Sequence, residues 1–409
     1  MKKILFLTYR LPNSLLKDGY SIRALGLAGI LKKEYNIDLV SLYQKETELE
    51  QKNGLEKFFD NIYLFSENIL SESLGAVKGV LSSAPIQEEI YFSSKMQEWI
   101  NKNYKNYNLI FCETLRTIKY VKNLRIPKVV DLIESLSLKY LRAREFVNPL
   151  WKLIYKIETP RIQKREREAL ENFDKVLISS PFDRKYLCQQ STVNLPRRQA
   201  GTQQSKLVVV PNGVKEKVIH YPLSNTQYPE ENWISFFGKM DYQPNEDAVL
   251  WFSREIFPQI QSKVPNLKFY IIGTNPTKKI KNLQRIKNIK ITGFLDNPYK
   301  ILQKSKLVVV PLRFGAGIQN KVLEAMALGK PVITSPISAQ GIKEAKVGEH
   351  FEVISIDKPE IWVEKIMDLI SNNQRRKSLN KAAQELIEEN YRWEEIGKKL
   401  LKTVSEVIH

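Results

Sequence analysis

Short apolar runs separated by longer mixed segments recur along the whole chain. Ile4–Thr8, Asp38–Tyr43, Asn61–Phe65, Leu109–Cys112, Lys128–Asp131 and Lys175–Ser179 are such runs in the first half. Their apolar residues are consecutive rather than alternating, which suits strands covered on both faces. Between the first two runs, Ile22, Leu25, Leu27, Ile30 and Leu31 recur at roughly helical spacing. Residues 68–85 mix small and apolar side chains and predict a mobile helix or loop. Residues 189–206 are polar, with two glutamine pairs, Pro196 and Gly201, and read as a flexible surface loop.

The second half repeats the same grammar. Trp233–Gly238, Lys268–Gly273, Ile289–Gly293, Leu307–Pro311 and Pro331–Thr334 predict strands. Pro244 and Asn245 open a helix through Phe257, and residues 359–408 read as mostly helical, with Pro359 in a first turn. Ser205–Pro211 and Ser305–Pro311 are identical, which marks similar buried strands in two similar halves. Strands alternating with helices imply parallel sheets joined by crossover helices. The expected class is α/β, with two Rossmann-like domains.

One stretch carries candidate chemistry. After the strand Leu307–Pro311 comes Gly-Ala-Gly-Ile-Gln-Asn-Lys-Val-Leu-Glu-Ala-Met-Ala-Leu-Gly-Lys-Pro-Val-Ile-Thr, residues 315–334. Gly315 and Gly317 let backbone amides approach a ligand closely. A helix starting near Gln319 or Asn320 turns its positive end to the same place. Lys321 and Glu324 are three apart, hence on one face of that helix. A cation beside a carboxylate at an anion site suits a nucleoside diphosphate. The lysine meets phosphate oxygens, and the carboxylate accepts from ribose hydroxyls. The bland alternative is a surface ion pair after a tight turn.

This run resembles the donor-binding signature of the family 4 glycosyltransferases, retaining enzymes of the GT-B fold. It is most similar to bacterial polysaccharide and exosortase-associated sugar transferases. The resemblance implies two Rossmann-like domains facing across a crevice: residues 1–212 for the acceptor, residues 213–392 for a nucleotide-sugar donor. A last helix, about 393–409, returns to the first domain, and Asn390–Trp393 is similar to the family run that precedes it. Gly238-Lys239 falls at the family's Gly-Arg, where the Arg contacts diphosphate. Lys239 keeps the charge without the bidentate fork. The Lys-Gly that follows in the family is Pro244-Asn245 here. The family's Glu-x7-Glu pair keeps only Glu324, because Ala316 stands at the first carboxylate. Gly317 and Ile318 amides are then candidates for the sugar. Gly293-Phe294 and Ile337–Gly341 frame the base and sugar edge, or are ordinary connections.

On the first-domain side the resemblance points to a glycine loop at Gly19, beneath the donor's diphosphate. Arg23 in the next helix is placed to reach a phosphate or to cap a turn. The family's mid-domain histidine has no counterpart among His220, His350 and His409. Asp131 and Glu134, at a strand end, are the alternatives for orienting or deprotonating an acceptor hydroxyl, and either equally suits a helix cap. The implied reaction moves a sugar from a nucleoside-diphosphate sugar to a glycan or lipid-linked acceptor, in bacterial surface polysaccharide assembly. It needs no cofactor and no metal, and no Asp-x-Asp motif is present in the sequence.

Composition adds a question about partners. The chain has 409 residues and a net charge of +19. Two cysteines give neither a disulfide framework nor a metal set and fit a reducing cytoplasm. No apolar run is long enough to span a bilayer. Zinc-finger spacing, RNP-type aromatics and a basic tail are missing, so no specific nucleic-acid partner is expected. Residues 139–168 hold nine Lys/Arg against four Glu, interleaved with Tyr140, Phe146, Leu150, Trp151, Ile154 and Tyr155. That stretch suits an anionic membrane surface, on the inner face of the cell membrane, or a solvated helix with its aromatics packed inward. Rival readings are a nucleotide-sugar-binding epimerase or inactive scaffold, and a basic nucleic-acid-binding protein.

Overall fold

The computed structural model describes the chain except residues 14–17, 45–51, 53, 67–78, 80–81, 192–196, 222–230 and 409. The chain divides into two compact units, Met1–Pro211 with Ile396–His409, and Asn212–Glu395. Among the described residues the first unit holds seven strands: β1 (Lys3–Thr8), β2 (Asn36–Tyr43), β3 (Asn61–Ser66), β4 (Leu109–Glu113), β5 (Lys128–Asp131), β6 (Lys175–Ile178) and β7 (Leu207–Val209). The described residues of the second form six: β8 (Trp233–Phe237), β9 (Lys268–Ile272), β10 (Ile289–Ile291), β11 (Leu307–Val310), β12 (Val332–Thr334) and β13 (Glu352–Val353). All pairs are parallel, in the orders β3-β2-β1-β4-β5-β6-β7 and β10-β9-β8-β11-β12-β13. Each order reverses once, between β1 and β4 and between β8 and β11. A parallel sheet opens a crevice beyond its carboxyl ends at such a reversal.

Burial explains the apolar runs. Ile4, Leu5, Phe6 and Leu7 in β1 and Leu307–Val310 in β11 are fully buried. Burying one such side chain stabilises by about 1.5–3 kcal/mol, so each run is pinned to the middle of its sheet.

The helices used below are α1 (Gly19–Leu31), α2 (Leu136–Ala143), α3 (Pro149–Asn172), α4 (Arg197–Lys206), α5 (Gln243–Trp251), α6 (Asn320–Ala327) and α7 (Trp393–Ile408). In α7, Ile396, Leu400, Thr403 and Val404 are buried at helical spacing. Gly397 lets it cross α1 closely, since a Cβ there would sit 3.2 Å from the Ile30 side chain.

Two expectations need correction. Within 189–206, expected as a loop, Pro181–Ser191 and Arg197–Lys206 are helices. Gln, Arg, Ala and Lys are good helix formers, and one glycine costs only about 1 kcal/mol. Arg184 ties the segment down by donating to Leu207 O at 3.0 Å. The helix expected through Phe257 widens into a π turn at Phe252–Ile256 before resuming at Phe257–Lys263. Pro258 supplies no N–H and crowds the preceding turn, and the wider turn accommodates that. Most of the expected mobile stretch at 68–85 lies outside the described residues.

Candidate functional site

In the second unit, the β8/β11 reversal gathers the residues singled out by the glycine-rich run. Gly238 directly follows β8 with φ +152°, and a Cβ there would lie 2.8 Å from Asn245 Nδ2 and 3.6 Å from Lys321 Nζ. Asn245, in the first turn of α5, donates from Nδ2 to Lys239 O at 2.8 Å. Its Oδ1 accepts from the Lys321 ammonium. One amide thus joins the loop after β8 to the helix after β11. Asn245 was not among the expected site residues. Its only sequence signal was its place in Met240–Asn245, where the resemblance departs from the family's Lys-Gly.

Lys321 points its ammonium inward, 4.8 Å above the Phe236 ring. Burial pulls its pKa down to about 7, against the opposing pull of Glu324. Glu324, half-buried, accepts from the Tyr299 hydroxyl at 3.3 Å. Burial and then that carboxylate push the Tyr299 pKa upward.

The loop before α6 turns through Gly315 at φ +154° and Gly317 at φ +69°. Gly341 packs on it, since a Cβ there would sit 2.8 Å from Ile318 Cα. Ala316 and Ile318 are buried, at 3% and 7% exposure, so these positions offer a ligand backbone rather than side chain. Gln319 caps α6 without a side-chain bond to its first amides. Lys239 stands apart: it is half exposed and paired with Asp241 at 3.5 Å.

In the first unit the residues expected to meet the donor, Gly19 and Arg23, and those expected to act on the acceptor, Asp131 and Glu134, fare differently. Arg23 and Asp131 are fully buried and bonded to each other, at 2.5 Å from Nε and 2.7 Å from Nη2. Arg23 also donates to Val210 O at 2.9 Å. Neither is free for the expected role: Arg23 holds α1 to β5 and to the end of β7 instead of meeting a phosphate, and Asp131 is already ion-paired with it. Glu134 pairs with Lys139 at 2.6 Å and remains partly exposed. Gly19 is exposed in the first turn of α1, which Asp18 caps through Ser21 N.

Glu113 was missed, because β4 was expected to stop at Cys112. Its carboxyl is fully buried, and neither oxygen has a hydrogen-bond partner among the described residues. Burial, and next the Asp131 carboxylate, raise its pKa well above the usual range.

Among the described residues, no group of His, Cys, Asp and Glu is placed to hold a metal ion, and no helix is long and apolar enough to cross a membrane.

Known proteins share this architecture. Residues 231–372 match the family model described as glycosyl transferases group 1. An uncharacterized glycosyltransferase of Methanocaldococcus jannaschii is 26% identical over 233 residues, 55% of this chain and 58% of that protein. The chain thus spans less than two thirds of that relative's length. Among solved structures, HepE of Anabaena in complex with UDP and glucose superposes with a TM-score of 0.64 at 15% identity, over 99% of this chain and 100% of that one. Sucrose-phosphate synthase of Thermosynechococcus elongatus gives a TM-score of 0.72 at 15% identity, over 99% of both chains. The chain therefore has the two-domain Rossmann-like fold of the GT-B glycosyltransferases, and its second unit carries the match to glycosyl transferases group 1.

Proposed function

We propose that this protein transfers a sugar from a nucleoside diphosphate sugar, with UDP as the first candidate carrier, to a glycan or lipid-linked acceptor in bacterial surface polysaccharide assembly. The observation that carries this reading is the Lys321 ammonium, held by Asn245 beside Gly238, with Glu324 three residues along the same helix. Lys321 and the amino end of α6 meet the diphosphate, and Glu324 receives the ribose hydroxyls. The bond from the anomeric carbon to the diphosphate breaks, and the acceptor oxygen bonds that carbon on the same face, so configuration is retained. The acceptor's proton leaves with the diphosphate oxygen. Charge gathering on that leaving group is what the site stabilises, by lysine and amides rather than a divalent ion. The UDP and glucose bound by HepE support the choice of carrier.

Thermal unfolding with millimolar UDP, GDP, ADP and CMP tests it. A ligand at a hundred times its Kd adds about 2.7 kcal/mol of stability. One nucleotide is expected to shift the wild type clearly and Glu324→Ala hardly at all. No shift with any of the four would sink the reading.

The same protein is proposed to work against an anionic membrane surface. Tyr140 and Tyr155 pack inward, stacked at 4.2 Å. Leu150, Leu153 and Ile157 instead face outward at 66%, 56% and 46% exposure. They recur at i, i+3 and i+7 on α3, an apolar stripe on the solvent side. Lys152 and Lys156 flank it, and residues 148–157 contain no acid. Apolar insertion flanked by lysine suits anionic headgroups, with about 1 kcal/mol per lysine near the surface. Binding to phosphatidylglycerol vesicles is expected at low salt, weakened roughly thirtyfold in Lys152→Glu/Lys156→Glu. Equal binding to phosphatidylcholine vesicles, or none to either, would remove the membrane from the proposal.

A further inference from the structure

The first sheet reverses its strand order between β1 and β4, as the second does between β8 and β11. In the second unit that place holds Gly238, Asn245 and Lys321. In the first unit it holds Tyr9 and Arg10, directly after β1, and Glu113 and Arg116, at and after the end of β4.

These residues form a cluster of rings and guanidiniums. Arg116 lies 4.5 Å from the Tyr9 ring centroid and 5.7 Å from that of Tyr91. Arg10 lies 4.6 Å from the Tyr20 ring. Tyr9 meets Tyr20 and Tyr91 edge-on, each at 4.9 Å. Cation–ring contacts of this kind orient a guanidinium without neutralising it.

The two arginines differ in charge balance. Arg10 is paired with Asp18 at 3.2 Å. Arg116 has no ion-pair partner among the described residues, and its Nε is buried without a hydrogen bond. A half-buried, uncompensated cation at the ligand-binding point of a parallel sheet calls for an anion.

Two further observations mark the place as built for a ligand. The Glu113 carboxyl is completely buried with both oxygens unbonded, which is costly unless something polar completes it. The next residue, Thr114, has φ +69°, which strains a β-branched side chain by about 1–3 kcal/mol. Its hydroxyl is also buried, with no hydrogen-bond partner among the described residues. The strained turn leads directly into the segment that carries Arg116.

We infer that this cluster is the acceptor subsite of the proposed transferase, and that it takes a sugar bearing an anionic group, a phosphate or a carboxylate. Arg116 receives the anion with its planar fork, which matches either group in bidentate fashion. The tyrosines offer ring faces and edges to the sugar, and the buried Glu113 carboxyl lies beneath them, at the end of β4. The inference rests on the transferase reading.

The test uses the full chain with its donor pocket saturated by UDP. Binding of glucose 6-phosphate, glucuronate and glucose is measured by calorimetric titration or ligand-observed NMR. At least one of the two anionic sugars is expected to bind about tenfold or more tightly than glucose. Which of them does separates a phosphate-bearing from a carboxylate-bearing acceptor. Arg116→Gln is expected to erase that preference and Arg116→Lys to restore part of it, both with UDP binding and thermal unfolding intact. Lys321→Met is expected to leave the sugar preference unchanged. Glucose binding as well as the anionic sugars, or an Arg116→Gln variant that keeps the preference, overturns the inference while leaving the donor reading standing. If UDP itself fails to bind the wild type, the transferase reading falls and the acceptor role falls with it.

Discussion

Lys321→Met is expected to lower turnover by about a hundredfold to a thousandfold, while UDP affinity changes by less than about tenfold. Methionine keeps the length of the side chain and removes only the charge. That charge is held against Asn245 Oδ1 and over the Phe236 ring, so its place is set before any ligand arrives. A preset cation acts most strongly when negative charge gathers on the leaving diphosphate, and less on the bound donor.

The lysine also predicts a pH dependence. Its pKa lies at about 7 in the free protein. A bound diphosphate favours the protonated form and raises that pKa. Above pH 7, binding must therefore take up a proton, and affinity should fall as pH rises until the bound-state pKa is reached, by less than about tenfold in all, since the charge itself is worth no more than that to UDP affinity. Lys321→Met should flatten that slope.

Stability follows the opposite sign. A lysine whose folded pKa is lowered binds fewer protons folded than unfolded. Its contribution therefore improves as pH rises from about 7 toward about 10.4, and at neutral pH the lysine costs stability. The methionine variant should unfold at a higher temperature than the wild type at pH 7. Steady-state kinetics within about threefold of wild type would remove Lys321 from the chemistry.

Gly273→Ala is expected to destabilise the second unit by more than about 4 kcal/mol, which amounts to loss of the folded protein in most assays. Gly273 follows β9 with φ +154°, and a Cβ built there would lie 1.7 Å from Gly238 O. Gly238 O is backbone and the position of a Cβ is fixed by its own backbone, so no rotamer change relieves the clash. The displaced carbonyl belongs to the glycine beside Lys321 and Asn245, so any variant that does fold should also bind UDP poorly.

Gly238→Ala offers the comparison. Its Cβ would meet Asn245 Nδ2 at 2.8 Å, the end of a side chain rather than backbone, and a milder loss is expected. Denaturant unfolding of the two variants checks the order. Gly273→Ala at wild-type stability would mean that the ends of β8 and β9 do not pack as described.

The strands were legible because each is a buried parallel strand, and a consecutive apolar run has few other ways to satisfy itself. The helix at Arg197–Lys206 was not legible, since a polar helix lacks the apolar stripe by which a period is recognised. Lys321 and Glu324 were legible as a pair, because three residues on one helix fix their relation locally. Ala316 could be read as a missing carboxylate but not as a buried position.

Long-range partners were beyond such reading. Asn245 and Lys321 are 76 residues apart, and Arg23 and Asp131 are 108 apart. Arg23 looked like a phosphate ligand only while its buried partner was unknown. Arg116 carried no motif at all, and its interest comes from Tyr9 and Tyr91 around it and from the lack of an ion-pair partner among the described residues. The sequence by itself determined the alternation of strand and helix, the doubling of the domain and the glycine-to-glutamate run. Those properties are set by burial and backbone freedom over a few neighbouring residues. Only the tertiary structure decided which charges are compensated among the described residues and which are not, because charge compensation depends on side chains brought together from distant strands.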